Sequence, residues 1–281
     1  MKIYKAKSFA KINLVLHVTG KLNKLHKIES IVKFIQLHDL ITIKRAKGNK
    51  HKISFNGSFS KNIKKNNTVD NLFKILDDKN LLNNKKFQIN VKKNIPQEAG
   101  LGGGSMNAAT ILNFFIKKNF IKISQKKILK ITNLIGSDVI LGINPTSTIL
   151  SSNGAVKRFL KTSSFYTLLV RPNFGCSTKK IYSGVKKFSK PVLNNPNKNM
   201  LNLRLLLKYE NALEKIAFSK YQNLEKLKLF LEKLNQPLFV RMTGSGSVLV
   251  AYYQRKRDCE LAKVKFKRKF RNYWCNTSKT I

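Results

Sequence analysis

Apolar and polar positions alternate with the period of a strand over residues 9–18, where Ile12, Leu14, Leu16 and Val18 face one side and Lys11, Asn13 and His17 the other. Further strands are predicted at 31–34 and 40–43, joined through Leu37-His38-Asp39, and at Phe87, Ile89 and Val91, which alternate with Gln88, Asn90 and Lys92. Residues 44–70 are rich in Lys, Asn and Ser, so a loop or weak hairpin is expected there. The period then lengthens. Leu72, Ile75 and Leu76 fall at helical spacing within 71–82, as do Ala108, Ile111, Leu112 and Phe115 behind a run of glycines. Ile128, Ile131 and Ile135 form a third stripe between a Ser124 cap and a Gly136 stop. Past Ser151 a new set begins: a strand at 166–171, two helices, a strand at 248–253, a basic helix over 257–270 and a last strand around 273–275. Leu224, Leu227, Leu231 and Leu234 line one face of the second of those helices, which marks core. A division near residue 160 is expected, into 1–160 and 161–281.

Between the strand at 87–91 and its following helix lies Pro96-Gln97-Glu98-Ala99-Gly100-Leu101-Gly102-Gly103-Gly104-Ser105-Met106. Four glycines in five positions leave backbone amides uncovered, and the helix that follows adds the positive end of its dipole. Strand, glycine loop and helix in that order suit an anion, above all a phosphate. No Lys follows the glycines as a Walker loop requires, and no acidic residue stands where a dinucleotide fingerprint needs one.

With 281 residues, 42% of them hydrophobic, the chain can bury a core for one large or two modest domains. Lys2, Lys5, Lys7 and Lys11, with Asn13 and His17, leave no apolar stretch for a secretory leader, and no run reaches membrane-spanning length. Cys176, Cys259 and Cys275 are odd in number and form no Cys-x-x-Cys pair, so reduced thiols and a cytoplasmic protein are expected. The formal charge of +43 admits two explanations. One is a nucleic-acid-binding surface. The other is drift toward Lys, Asn and Ile, whose codons are all A/T-rich; the scatter of lysines through every segment favours it. Either way the charge draws anionic substrates at low salt.

The run Pro-x-x-x-Gly-Leu-Gly-Gly-Gly-Ser-x-Asn-Ala-Ala resembles the nucleotide loop of the GHMP kinases, with Glu98-Ala99 in place of two family glycines. Ser8-Phe9-Ala10-Lys11-Ile12-Asn13-Leu14 resembles the opening of one branch, the 4-diphosphocytidyl-2-C-methyl-D-erythritol kinases. Where that branch has Gly-Tyr-His the chain has Lys24-Leu25-His26, and its Gly-Ala-Asp-Val-Pro corresponds to Gly136-Ser137-Asp138-Val139-Ile140. The turn from Pro172 to Tyr182 and Thr243-Gly244-Ser245-Gly246-Ser247 complete the set. Taken singly, Lys11 reads as a solvated edge charge, His26 as a surface histidine and Asp138 as a cap or turn former.

Together the motifs imply an α+β, two-domain GHMP kinase fold, with an N-terminal domain like ribosomal protein S5 domain 2 and a ferredoxin-like C-terminal domain. The resemblance further implies ATP-dependent phosphorylation of the substrate's 2-hydroxyl in non-mevalonate isoprenoid synthesis. In it Asp138 is the base, Lys11 keeps that carboxylate ionised and stabilises developing charge, and residues 96–106 hold ATP. Asn13, Leu25, His26 and Tyr182 would receive a cytidine diphosphate substrate. Mg²⁺ is expected with ATP, although no carboxylate cluster marks a protein ligand for it. No membrane and no specific nucleic acid are expected as partners, and the protein is expected to be a monomer or weak homodimer. Two alternatives stay open: a GHMP kinase for another small alcohol, and a basic nucleic-acid-binding protein of S5-like fold.

Overall fold

The computed structural model describes residues 2–23 and 25–281; Lys24, at the head of the segment replacing Gly-Tyr-His, lies outside them. Two long strands, β1 (Ile3–Leu22) and β2 (Leu25–Arg45), lead into β3 (Lys52–Asn56), α1 (Thr68–Asp78), β4 (Phe87–Lys92), α2 (Gly103–Lys117) and α3 (Gln125–Ile135). There follow β5 (Ser147–Leu150), β6 (Val156–Phe159), β7 (Tyr166–Arg171), α4 (Thr178–Tyr182), α5 (Leu203–Lys208), α6 (Glu214–Lys220) and α7 (Gln222–Glu232). The chain closes with β8 (Phe239–Met242), β9 (Leu249–Tyr253), α8 (Lys256–Lys269) and β10 (Trp274–Lys279). Two compact units interleave along the sequence. The first holds the residues up to Ala10, Leu37–Gln97 and Gly102–Pro145; the second holds Lys11–Gln36, Glu98–Leu101 and Thr146–Ile281.

In the first unit the end of β2 pairs antiparallel with β4, from Leu40 opposite Lys92 to Arg45 opposite Phe87. β3 runs parallel to β4, with Ile53 opposite Ile89. This strand corrects the loop expected over 44–70: its Ile53 and Phe55 make too short an alternation to stand out, and pairing with β4 decides the conformation. Helices α1, α2 and α3 bury Leu72, Leu76, Ile111, Phe115 and Ile131 with the sheet residues Ile41, Ile43, Ile89 and Val91. Helix α1 starts before its apolar stripe because Asn67 caps it. The Asn67 side chain accepts from the amides of Val69 and Asp70 while Asp70 accepts from the Asn67 amide. Ser124 and Gly136 bound α3 as the pattern predicts.

β2 is a single strand where two were expected. The polar joint Leu37-His38-Asp39 is no turn, because Asp39 is fully buried and its carboxylate is satisfied by Lys93 and by the amides of Asn94 and Ile95.

The second unit carries the antiparallel sheet β10-β7-β9-β8. Its core joins Leu168, Val170, Leu249 and Ala251 of the sheet to Leu224, Leu227 and Leu231 of α7 and Ala262 and Phe266 of α8, so the leucine stripe is core as expected. Between β7 and β8 the chain forms four helices, where two were expected. The first three are five to seven residues long, too short for a legible stripe, and Pro191 and Pro196 interrupt the stretch. In the same unit Ser30–Val32 of β2 pairs with β5, which pairs in turn with β6.

Lys33, on β2, is 1% exposed and donates to Thr162 Oγ1 at 2.7 Å and to the Ser163 carbonyl. Burial lowers its pKa from 10.5 to about 8. The unfolded chain therefore holds the extra proton between those values, and Lys33 makes the protein gain stability as pH rises through that window. Thermal denaturation across it should show the wild type gaining on Lys33→Met with each step of pH. A constant difference between the two would place the Lys33 pKa at its ordinary value.

Candidate active site

Lys11 and Asn13 lie on β1 and are 4% and 3% exposed, so Lys11 is not the solvated edge charge that its strand position alone suggests. Its Nζ donates to Asn13 Oδ1 at 2.7 Å, and Asn13 Nδ2 donates to Ser30 Oγ at 2.8 Å. The Asn13 amide donates to Thr243 Oγ1 at 3.0 Å; that hydroxyl donates to the Gly100 carbonyl at 3.1 Å, and the Lys11 amide reaches the Leu101 carbonyl at 3.0 Å. One hydrogen-bonded cluster thus joins the opening motif, the first half of the glycine loop and the Thr243–Ser247 motif.

Glycine is required at the centre of this cluster. Gly100 has φ +72°, and a Cβ there would stand 1.9 Å from the Thr243 carbonyl oxygen. Gly244 has φ +56° and leaves only 3.1 Å between its own Cβ position and Gly100 Cα. Asn211, 2% exposed, supports the facing loop by donating to the carbonyls of Met242 and Gly244, both at 2.8 Å. Nothing local in the sequence marks it, since its partners lie more than thirty residues away. Glu98 takes a left-handed conformation, with φ +51°, and a Cβ on Gly175 would stand 2.8 Å from its Oε2. Ala99 beside it is buried.

The rest of the loop belongs to the first unit. Pro96 is buried, and Gln97 Nε2 donates to the carbonyls of Phe59 and Lys61 at 2.9 and 2.7 Å. Helix α2 starts behind Gly102, which has φ +67° and offers no side-chain cap. The left-handed backbone is therefore needed at 100 and 102; Gly103 and Gly104 are helical. A first turn with uncapped amides at the head of a fifteen-residue helix fits a phosphate. Gly104 is exposed, and Ser105 is half-buried beside it. Met106 packs where Gly142 leaves room, since a Cβ there would stand 2.9 Å from its Sδ. Asp138 is half-buried at the head of a 3-10 turn over Val139–Ile143, and its carboxylate does not cap that turn.

His26 and Tyr182, 156 positions apart in sequence, come together in the second unit with ring centroids 5.1 Å apart and planes tilted by 38°. Tyr182 closes α4, whose N-terminus is capped by Ser177, and Thr178 shares a 3.0 Å hydrogen bond with Ser245. Burial and the neighbouring Lys21 lower the His26 pKa, which favours the neutral ring. Leu25 is 75% exposed. Among the described residues no three His, Cys, Asp or Glu side chains gather as a metal site, and no helix is long and apolar enough to cross a membrane.

Residues 67–147 match the family model for the GHMP kinases N terminal domain. The chain is 56% identical, over its full length and that of the relative, to a 4-diphosphocytidyl-2-C-methyl-D-erythritol kinase of Pelagibacter ubique. A kinase of the same name from Petrotoga mobilis is 31% identical, over 86% of this chain and 96% of its own. A crystal structure of a 4-(cytidine 5'-diphospho)-2C-methyl-D-erythritol kinase has the same fold, with a TM-score of 0.78 at 20% identity over 98% of this chain and 99% of the other. This is the α+β GHMP kinase fold.

The packing of Glu98 on Gly175 can be tested by a double-mutant cycle. Gly175→Ala should cost about 1–3 kcal/mol in denaturant unfolding, as overpacking does, and much less in a Glu98→Gly background. Equal costs in both backgrounds would show that Glu98 is not the obstacle.

Proposed function

The chain belongs to the 4-diphosphocytidyl-2-C-methyl-D-erythritol kinases of the GHMP superfamily, and from that membership we propose that it phosphorylates the 2-hydroxyl of 4-diphosphocytidyl-2-C-methyl-D-erythritol with ATP, a step of non-mevalonate isoprenoid synthesis. The observation that carries the proposal is the buried cluster of Lys11, Asn13, Gly100, Leu101 and Thr243, in which three of the family's motifs meet through hydrogen bonds. Residues 1–160 and 161–281 are taken as the N- and C-terminal kinase domains by chain order, a division that the interleaved compact units do not follow. The protein is taken to act in the cytoplasm, as a monomer or weak homodimer.

A hydroxyl attacks phosphorus only as its proton leaves, and the rest of phosphoryl transfer is positioning and charge neutralisation. Asp138 is assigned as the base, in keeping with its Gly-Ser-Asp-Val motif. Lys11 is assigned as the cation that favours the ionised carboxylate and the developing negative charge. Residues 96–106 are assigned to ATP, whose γ-phosphate is the group transferred. The uncapped amides at the head of α2 hold its phosphates, and Mg²⁺ would accompany them to neutralise charge. Asn13, Leu25, His26 and Tyr182 are assigned to the cytidine end of the acceptor. A neutral His26 can present one donor and one acceptor to a base edge, and Tyr182 supplies a ring face.

Three measurements test these assignments. Asp138→Asn should lower kcat by roughly 10² or more while both substrates bind within a few-fold of the wild type; normal turnover would remove Asp138 from the mechanism. Gly104→Asp should separate stability from binding. A carboxylate in the first turn favours the helix by about 0.3–1 kcal/mol, while a Cβ there meets Thr68 Oγ1 at 3.0 Å, so Tm should move little, whereas repulsion of phosphate should weaken ATP binding at least about tenfold. Unchanged ATP affinity in that variant would mean that the loop is only a bend. Tyr182→Ala should raise the acceptor KM about tenfold, the scale of one lost stacking partner, and leave the ATP KM alone; an unmoved acceptor KM would favour a kinase of a different small alcohol.

A further inference from the structure

β4 ends at Lys92, opposite Leu40 of β2, and the chain must then travel only a few residues to the glycine loop. The residue before Leu40 is Asp39, fully buried at the point where the strand ladder stops. Its Oδ1 accepts from the amides of Asn94 and Ile95 at 2.7 and 2.9 Å, and its Oδ2 pairs with the ammonium of Lys93. One carboxylate thus takes over from the ladder for the amides of Asn94 and Ile95 and holds the Lys93 side chain beside them. Asn94 Nδ2 adds a bond to the His38 carbonyl at 2.9 Å.

Those same residues wall the start of α2. A Cβ on Gly103 would stand 3.1 Å from Ile95 Cγ2 and 3.2 Å from Lys93 Nζ, so the backbone of the helix's first residue lies directly against them. Helix α2 has no side chain of its own to fix its first turn, because Gly102 does not cap it. The placement of its free amides depends on what lies behind Gly103, and Asp39 holds that wall in place.

We propose that Asp39 is a positioning residue for the nucleotide loop: by clamping the amides of Asn94 and Ile95 it aims the first-turn amides of α2 at the phosphates, without itself touching ATP. The proposal rests on the assignment of residues 96–106 to ATP. Its signature is a loss confined to the nucleotide and governed by the oxygen that the amides need, separate from the charge that Lys93 needs.

The test compares Asp39→Ala with Asp39→Asn in the full-length enzyme, with ATP and acceptor KM, kcat and Tm measured for each. Asp39→Ala removes the acceptor for both amides. It should raise the ATP KM by about tenfold or more, the penalty expected when a supporting group lets a site drift, and leave the acceptor KM within about twofold. Asp39→Asn keeps an oxygen for the two amides while leaving Lys93 unpaired. It should lose Tm yet keep the ATP KM within about threefold of the wild type, because the clamp survives. An Asp39→Ala enzyme with unchanged ATP KM would overturn the proposal, and so would an Asp39→Asn enzyme impaired in ATP binding beyond that limit. The second outcome decides even where Asp39→Ala does not fold. Gly104→Asp, measured alongside, separates the two levels. If it weakens ATP binding while Asp39→Ala does not, only the clamp falls; if neither weakens it, the assignment of the loop falls and the clamp with it.

Discussion

The backbone of the glycine loop rests on the backbone of the 243–247 turn, and this contact tolerates no Cβ at Gly100. Two strands of chain can lie this close only where side chains are absent and every polar group between them is paired. Thr243 meets the second condition, because its hydroxyl accepts from the Asn13 amide while donating to the Gly100 carbonyl. Asn211 does the same from behind for Met242 and Gly244. Lys11 and Asn13 can be buried at this point because their side chains partner each other and Asn13 donates on to Ser30 Oγ, bonds that water would otherwise provide. A cluster of this kind is rigid when complete and costly when any member is left unpaired.

The same economy governs the scarce acids. The chain has 13 acidic residues against 56 basic ones, and three of the acids are buried as acceptors for backbone amides. Asp39 holds Asn94 and Ile95, and Glu214 accepts from the Met242 amide and from Lys228. Glu29 accepts from the amides of Val192 and Leu193 and pairs with His17 at 2.9 Å. Burial pushes the Glu29 pKa up, but His17 and the two amides outweigh that and leave it below the ordinary carboxylate value. An uncompensated buried acceptor or amide would cost more than any surface charge contributes, so these acids are constrained by folding while the exposed surface is free to accumulate lysine. That contrast accounts for a charge of +43 without requiring a polyanionic partner. It also leaves a field that attracts nucleotides and diphosphates from solution.

What the sequence by itself determined is everything written in local periodicity and in residue types with a single physical use. Alternation marked β4, and β7 and β9 were also read as strands; the stripes of α2, α3 and α7 were legible with their faces, and Ser124 and Gly136 bounded α3. The four glycines over 100–104 announced a loop with uncovered amides before a helix, and the spaced motifs pointed to the family; that among them only 100 and 102 need left-handed backbone came from the structure. Tertiary structure alone decided how the polar residues are used, because burial and partners depend on chain that is distant in sequence. Lys11 on an alternating strand reads the same whether solvated or buried; its neighbour Asn13 meets Thr243 across 230 positions. Asp39 looked like part of a turn until Lys93, Asn94 and Ile95 were seen to satisfy it, which left β2 one continuous strand. β3 became a strand through its pairing with β4, and α4, α5 and α6 are too short to carry a period. His26 and Tyr182 face each other for the same reason: a hydrophobic pattern records which side of an element is buried, and only the packed fold records what it is buried against.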